Sequence, residues 1–407
     1  SFIVGELPGA GIPDEWGLLL AKDSPLTARV SAALDELRED GTTPDKYCAH
    51  VGGTEVYFDI RDKLRTYYAS EAEAHFERIY HVMHELSQLR AKQGAVPKFL
   101  PVMYPFLGTA VTHPEQALKA ACSAMLDFIY AKVSEVCDNP ALPLNPLSAF
   151  FEVLEQQYVP RVYTTNYDDF VAQATQGRYF TGFTQRHGDH SDFDGKAFWA
   201  EWGKPALFHL HGSVHMGFSV PGEHQIGDIV WFDDKAVARR QARFNGSGVD
   251  RMDGTHVERG AIITGLDKLG RLQQSPYAFY YSALNREAME ADLILVLGSG
   301  LADLHLNTFL KAARRARPDV PILYVGYWGR EALDFYSTIH FELEDRDIAL
   351  FHELGIDLVN VAEARFKADD GWTVDARGKA AVWADGFQSF LLAPEAFTKV
   401  LLKVAAT

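Results

Sequence analysis

Four short blocks of this chain carry residue types that could do chemistry on a nucleotide. Thr164-Thr165-Asn166-Tyr167-Asp168-Asp169 closes a β-branched run that begins at Arg161. In an open α/β sheet ligands sit past the C-terminal ends of the strands. Asn and Asp there can hydrogen-bond ribose hydroxyls or a carboxamide. The same side chains serve equally well as caps of a helix beginning near Phe170. Phe208-His209-Leu210-His211-Gly212-Ser213 ends a second apolar run. Histidine is the usual general base near neutral pH. Residues two apart on a strand share a face, so His209 and His211 are expected side by side. His211, nearer the strand end, is the candidate base, although two structural histidines would read the same way.

The other two blocks are glycine-rich. Pro8-Gly9-Ala10-Gly11-Ile12-Pro13-Asp14 follows a short apolar run, Phe2–Val4, and Gly298-Ser299-Gly300-Leu301-Ala302-Asp303 follows the strongly apolar Ala291–Leu297. Glycines let backbone N–H groups approach a phosphate, and a following helix N-terminus adds positive dipole character. A plain turn, or a helix cap in the case of Asp303, remains open for each. The segment from His190 to Glu201 echoes a calcium-binding loop, but His at its first position is a poor ligand. His187, His190 and Asp192 cluster without a recognised metal-binding spacing, so no metal site is expected.

The elements that must position these blocks follow from periodicity. Helical patterns dominate from Leu18 to Leu154. One runs through Phe76, Ile79, Val82, Met83, Leu86 and Leu89, and a second covers 117–136. Strand-like runs appear at 161–165, 206–210, 229–232, 291–297, 321–325 and 357–361. Helical segments at 278–290 and 308–317 alternate with them, which implies a parallel, doubly wound sheet. The polar stretch 217–260 reads as containing a surface loop. The 407 residues carry 39 Lys and Arg against 55 Asp and Glu, a formal charge of −16. That balance argues against direct nucleic-acid binding over a broad basic face. No apolar run is long enough to cross a membrane, and no basic, then apolar leader opens the chain, so a cytoplasmic protein is expected. The three cysteines, Cys48, Cys122 and Cys137, are sparse and unpaired in sequence. They cannot build a four-cysteine zinc site.

In order and in position, the four blocks resemble the sirtuin superfamily, and more narrowly the bacterial sirtuin-like domains of anti-phage defence. Ile262–Arg271, Tyr280-Tyr281 and Asp303-Leu304-His305-Leu306-Asn307 carry the narrower likeness. The resemblance implies an α/β, Rossmann-like doubly wound parallel sheet with a helical inserted domain. Residues 1–25 and 156–370 would form the NAD-binding unit, 26–155 the mostly helical insert, and 371–407 a C-terminal helical extension. It implies an NAD+ hydrolase that uses NAD+ as substrate and depletes it in the infected cell, with Asn166 and His211 catalytic. Gly9, Ala10 and Gly11 would line the pyrophosphate, and Asp14 and Thr165 would belong to the same binding surface. Asp168 would sit near the nicotinamide, and Gly298, Ser299 and Asp303 on the adenosine side. The N-terminal loop aligns in two registers, either with Gly9-Ala10-Gly11 at the phosphates or with Gly5 opening the loop and Gly11–Asp14 following it. The missing zinc ribbon argues against a deacylase. A homo-oligomer is expected, and the family's usual partners are a hexameric DNA-translocase-type ATPase or an Argonaute-like protein. A non-catalytic NAD or ADP-ribose sensor and an ADP-ribosyltransferase are the competing readings.

Overall fold

The computed structural model describes residues 44–70, 74–89, 115–219, 227–250, 256–265, 272–299, 304–327, 366–369, 371–375 and 379–406. Phe2–Val4, Gly9, Ala10, Gly11, Asp14, Asp303, the strand expected at 357–361 and both loop registers lie outside the described residues.

Four helices come first among the described residues: α1 (Pro44–Tyr68), α2 (Phe76–Leu89), α3 (Glu115–Cys137) and α4 (Asn145–Glu155). The apolar stripe of α2 does what its spacing requires, burying Ile79 and Met83 completely. On α3 the buried positions Leu118, Cys122, Leu126, Ile129, Val133 and Val136 recur every three or four residues, the period of one helix face. Pro146 falls in the first turn of α4, where its missing N–H costs nothing.

The strands, in chain order, are β1 (Arg161–Thr164), β2 (Phe183–His187), β3 (His190–Phe193), β4 (Ala206–His209), β5 (Met216–Phe218), β6 (Ile229–Phe232), β7 (Arg243–Asp250), β8 (His256–Gly260), β9 (Ile294–Leu297), β10 (Ile322–Val325), β11 (Phe366–Asp369), β12 (Trp372–Asp375) and β13 (Ala380–Trp383). Between and after them run α5 (Phe170–Ala174), α6 (Gly195–Ala200), α7 (Lys235–Arg240), α8 (Tyr277–Glu290), α9 (Leu304–Ala316), α10 (Gly386–Leu391) and α11 (Pro394–Ala406). β1 pairs parallel with β4. β10 pairs parallel with β9 on one side and with β13 on the other. All four side chains of β10 are buried, as expected of a strand covered on both faces. Helix α9 connects β9 to β10, a βαβ unit. The mixed helix and strand content with parallel pairing makes this an α/β protein.

The stretch 217–260 holds β6, α7, β7, β8 and most of β5, and its positions 220–226 and 251–255 lie outside the described residues. Two expectations are corrected. β2, β3, β6 and β5 form an antiparallel sheet, which the parallel reading did not foresee. The tail from 371, expected to be helical, opens with β12 and β13, and β13 pairs parallel with β10 and antiparallel with β12 before α10 and α11 begin.

The helices 44–155 are not a separate layer. One continuous buried cluster runs from α1, α2 and α3 through α4 and β10 to β13, α10 and α11. Polar ties add to it. The Tyr130 hydroxyl on α3 donates to the Met216 carbonyl at 2.5 Å, and Arg239 Nε on α7 donates to Asp127 Oδ1 at 2.6 Å. Among the described residues no helix is long and apolar enough to cross a membrane.

Tyr130→Phe removes one buried hydroxyl and keeps the ring. It should lower unfolding stability by about 1–2 kcal/mol, read from urea unfolding. A variant as stable as the parent would mean that this bond does not help hold α3 on the sheet.

Candidate functional site

The site is built by the register of two strands. Thr164 lies opposite His209 in the β1–β4 pair, so both chains leave the sheet at the same level. Leu210 N–H donates to the Thr164 carbonyl at 2.8 Å and Val214 N–H to the Tyr167 carbonyl at 2.9 Å. His209 Nδ1–H donates to the Asn166 carbonyl at 3.3 Å. The loops 165–169 and 210–215, which carry Asn166, Asp168 and His211, are thereby stitched together. Asn166 N–H donates to Thr164 Oγ1 at 3.0 Å, which sets the turn leaving β1.

β4 ends at His209, and Gly212 N–H closes a turn onto the His209 carbonyl. The alternation expected for His209 and His211 therefore stops before His211, which sits in the turn. Both histidines are buried. Burial pushes the His209 pKa down to about 4, so this ring is neutral, with its proton on Nδ1. Gly212 has φ +92°, and a Cβ there would meet the Tyr277 hydroxyl at 2.8 Å, Ile262 Cα at 3.0 Å and the Ala261 carbonyl at 3.1 Å. Only glycine fits this conformation in this space.

A third segment, 261–265, packs on both loops. Ile263 N–H donates to the His211 carbonyl at 2.7 Å, and the Tyr167 hydroxyl donates to the Ile263 carbonyl at 2.8 Å. Tyr167 and this segment were not assigned roles from sequence, and only the assembled fold connects them to the site.

The two adjacent aspartates have opposite fates. Asp169, despite burial, accepts from Lys235 Nζ and His215 Nε2, both at 3.0 Å, and from Gln173 Nε2 at 2.7 Å. His215 and Lys235 hold its carboxylate well below the usual range. Asp168 accepts from the Phe170 N–H on Oδ1 at 3.2 Å, and the Asn166 side chain also bears on its carboxyl. Burial, opposed by that bond and reinforced by the charge of Asp169, pushes the Asp168 pKa up to about 7. Asp168 thus makes the cap-like contact considered from sequence, but only with one oxygen. Among the described residues, Asp168 Oδ2, His209 Nε2 and Thr264 Oγ1 are buried without a hydrogen-bond partner. Buried polar atoms left this way ask for a ligand. A molecule bearing amide or hydroxyl groups suits atoms of this kind.

Gly298 and Ser299 lie just past β9. Gly298 N–H donates to the Val325 carbonyl at 2.8 Å, and the Tyr324 hydroxyl donates to the Ser299 carbonyl. The same connection leads to α9, whose His305 ring lies 5.9 Å from that of His211. His305 and Asn307, noted in sequence without a role, thus stand on a helix that reaches the first pair of loops. The apparent calcium loop is resolved differently. Asp194 caps α6, accepting from Lys196 N and Ala197 N, both at 2.9 Å. His187, His190 and Asp192 form ion-pair contacts on the β2–β3 hairpin. Among the described residues no group of His, Cys, Asp and Glu could hold a metal ion.

Residues 160–343 match the family model of the SIR2-like domain. No curated protein matches the chain. The matched segment starts just before β1, runs past β10, and contains Asn166, Asp168, His211, Gly298 and Ser299. The segment is sirtuin-like, and the match points to an NAD-related function.

Two outcomes check this geometry. Gly212→Ala should lower the melting temperature by several degrees, because backbone atoms block the Cβ. Asp168→Asn should do the opposite at alkaline pH. The unfolded carboxyl ionises near pH ~4 and the folded one near 7, so Asp168 contributes stability below pH ~4 that is lost as pH rises toward ~7. Asparagine cannot ionise, so the variant's melting temperature should exceed the parent's at pH 8, and the gap should close toward pH 4.5. A gap independent of pH would mean that Asp168 titrates normally.

Proposed function

We propose that this chain hydrolyses NAD+ at the nicotinamide–ribose bond. The observation that carries this reading is the stitching of the Asn166 and His211 loops around the buried Asp168 carboxyl, whose Oδ2 has no protein partner among the described residues. The transition state is oxocarbenium-like, so positioning and electrostatics matter more than a strong nucleophile. Asp168, at the nicotinamide end, can donate or accept toward the carboxamide, since its carboxyl titrates near 7. Asn166 orients the ribose and the attacking water. His211 takes the water proton as the oxygen bonds the anomeric carbon. The electron pair of the broken C–N bond leaves on nicotinamide, and ADP-ribose is the second product. Gly298, Ser299 and Asp303 hold the adenosine side, while Gly9, Ala10, Gly11, Asp14 and Thr165 complete the dinucleotide surface.

The wider reading is an effector subunit of a bacterial anti-phage system that depletes cytoplasmic NAD+. Unrestrained hydrolysis would kill the host, so the enzyme is taken to be off until triggered. Homo-oligomerisation and a hexameric ATPase or Argonaute-like partner are the proposed means. The SIR2-like match supports the NAD-related core of this reading. The NAD-binding unit at 1–25 and 156–370 and the helical insert at 26–155 stay as proposed from sequence, while the segment from 371 carries β12 and β13 besides its helices.

The test is to incubate the chain with NAD+ and follow products by chromatography. Nicotinamide and ADP-ribose should appear in equal amounts. Asn166→Ala and His211→Ala should each lower nicotinamide release by about a hundredfold or more, with melting temperatures unchanged. A labelled acceptor in place of free ADP-ribose would indicate transferase activity, and binding without cleavage a sensor. If both variants release nicotinamide at the parent rate, the site assignment is wrong.

A further inference from the structure

Three rings from three elements meet beside the candidate base. His211, on the turn after β4, faces His305 in the first turn of α9, with centroids 5.9 Å apart and planes inclined by 38°. His305 Nε2 shares a hydrogen bond with the Tyr281 hydroxyl at 2.9 Å. Tyr281 projects from α8, is buried to 6 % exposure, and packs against Phe309 one turn further along α9. The phenol therefore has a fixed address, and through it so does the His305 ring. On its other side His211 is held through its backbone, by Ile263 N–H on its carbonyl and by the left-handed Gly212 that follows.

We infer that the Tyr281–His305 pair is the positioning device for the His211 imidazole. The inference rests on the reading of His211 as the base. A backbone pinned in a turn fixes Cα but leaves the side-chain torsions and a ring flip open. A base must be aimed within a fraction of an ångström and some tens of degrees to serve one water. A second ring packed at a tilt beside the first narrows the alternatives, provided that the second ring is itself held. The Tyr281 bond supplies that condition. The arrangement also joins the two halves of the site. α9 leads directly from the Gly298–Ser299 connection, so the helix beginning at the proposed adenosine side ends its first turn against the proposed base.

The experiment compares His305→Gln, Tyr281→Phe and the double variant in nicotinamide release from NAD+, with kcat and KM resolved separately. His305→Gln should lower kcat about tenfold with KM changed by less than about twofold, the mark of lost transition-state positioning. Tyr281→Phe should lower kcat in the same sense. The double variant should be no slower than His305→Gln alone, because the hydroxyl acts only through the imidazole. Tyr281→Phe removes one oxygen and keeps the packed ring, so it decides the matter if His305→Gln loses its fold. Unchanged kcat, a rise in KM at unchanged kcat, or additive losses in the double variant would each overturn the inference. His211→Ala separates the two levels. If it is inactive while His305→Gln and Tyr281→Phe behave as the parent, only this inference fails. If His211→Ala itself cleaves at the parent rate, the reading of the site fails.

Discussion

The alignment of β1 against β4 is the constraint on which the site depends. Thr164 opposite His209 is one register among several that two short parallel strands could adopt. A slip of one residue would move one loop by about 3.3 Å relative to the other, more than any hydrogen bond tolerates. The bonds from Leu210 to Thr164, from Val214 to Tyr167 and from His209 to Asn166 would all be lost together. The register is held partly from the strands' far ends. The Arg161 guanidinium bonds Glu287 on α8 and lies over the Trp202 and Phe208 rings, and the Tyr163 hydroxyl donates to the same carboxylate. That half-buried ion pair ties β1 to α8 through Nε, while Nη2 has the charge contact to Glu287 but no well-formed hydrogen bond.

The second feature with wide consequences is the splitting of two neighbouring carboxyls. Asp168 and Asp169 are adjacent and both buried, yet only Asp169 has the Lys235 ammonium beside it, with His215 Nε2 as a further donor. Ionising the second of two close carboxyls costs more than ionising the first, so Lys235 at Asp169 leaves Asp168 as the group that titrates late. The pairing serves the site in two ways. It anchors the loop through Asp169, and it leaves Asp168 as a buried carboxyl able to act as donor or acceptor near neutral pH.

Much of this was legible from residue patterns, and the rest was not for identifiable reasons. The runs at 161–164, 206–209, 294–297 and 322–325 announce themselves by β-branched and apolar content, and α2 by its threefold and fourfold spacing. Their C-terminal ends could be marked as ligand positions because parallel sheets put them there. β2 was hidden because four of its five residues are exposed and polar, and an edge hairpin needs no apolar alternation. β13 was hidden because Ala380-Ala381-Val382-Trp383 is short and runs almost at once into segments of helical composition. Its strand character comes from being buried beside β10, not from propensity. The His211 turn could have been suspected from Gly212, but a glycine does not reveal which backbone atoms would crowd it. The meeting of His211 with His305, ninety-four positions apart in sequence, follows from tertiary packing alone.

The helices before β1 bear on the site as well as on the core. The Cys137 carbonyl, at the end of α3, accepts from Gln173 Nε2, which also donates to Asp169. Asp138, in the turn that follows, accepts from Lys235, which also donates to Asp169. The carboxylate that anchors the candidate loop is therefore bonded to two side chains that also hold the last turn of α3. Moving that helix end would loosen Asp169, and with it the level at which Asp168 and Asn166 leave the sheet. Coupling between distant sites can travel through packed and bonded groups that have two arrangements. The chain from α3 through Gln173 and Lys235 to Asp169 is bonded without a break, and it gives the proposed control by an assembled partner a route to the candidate loops.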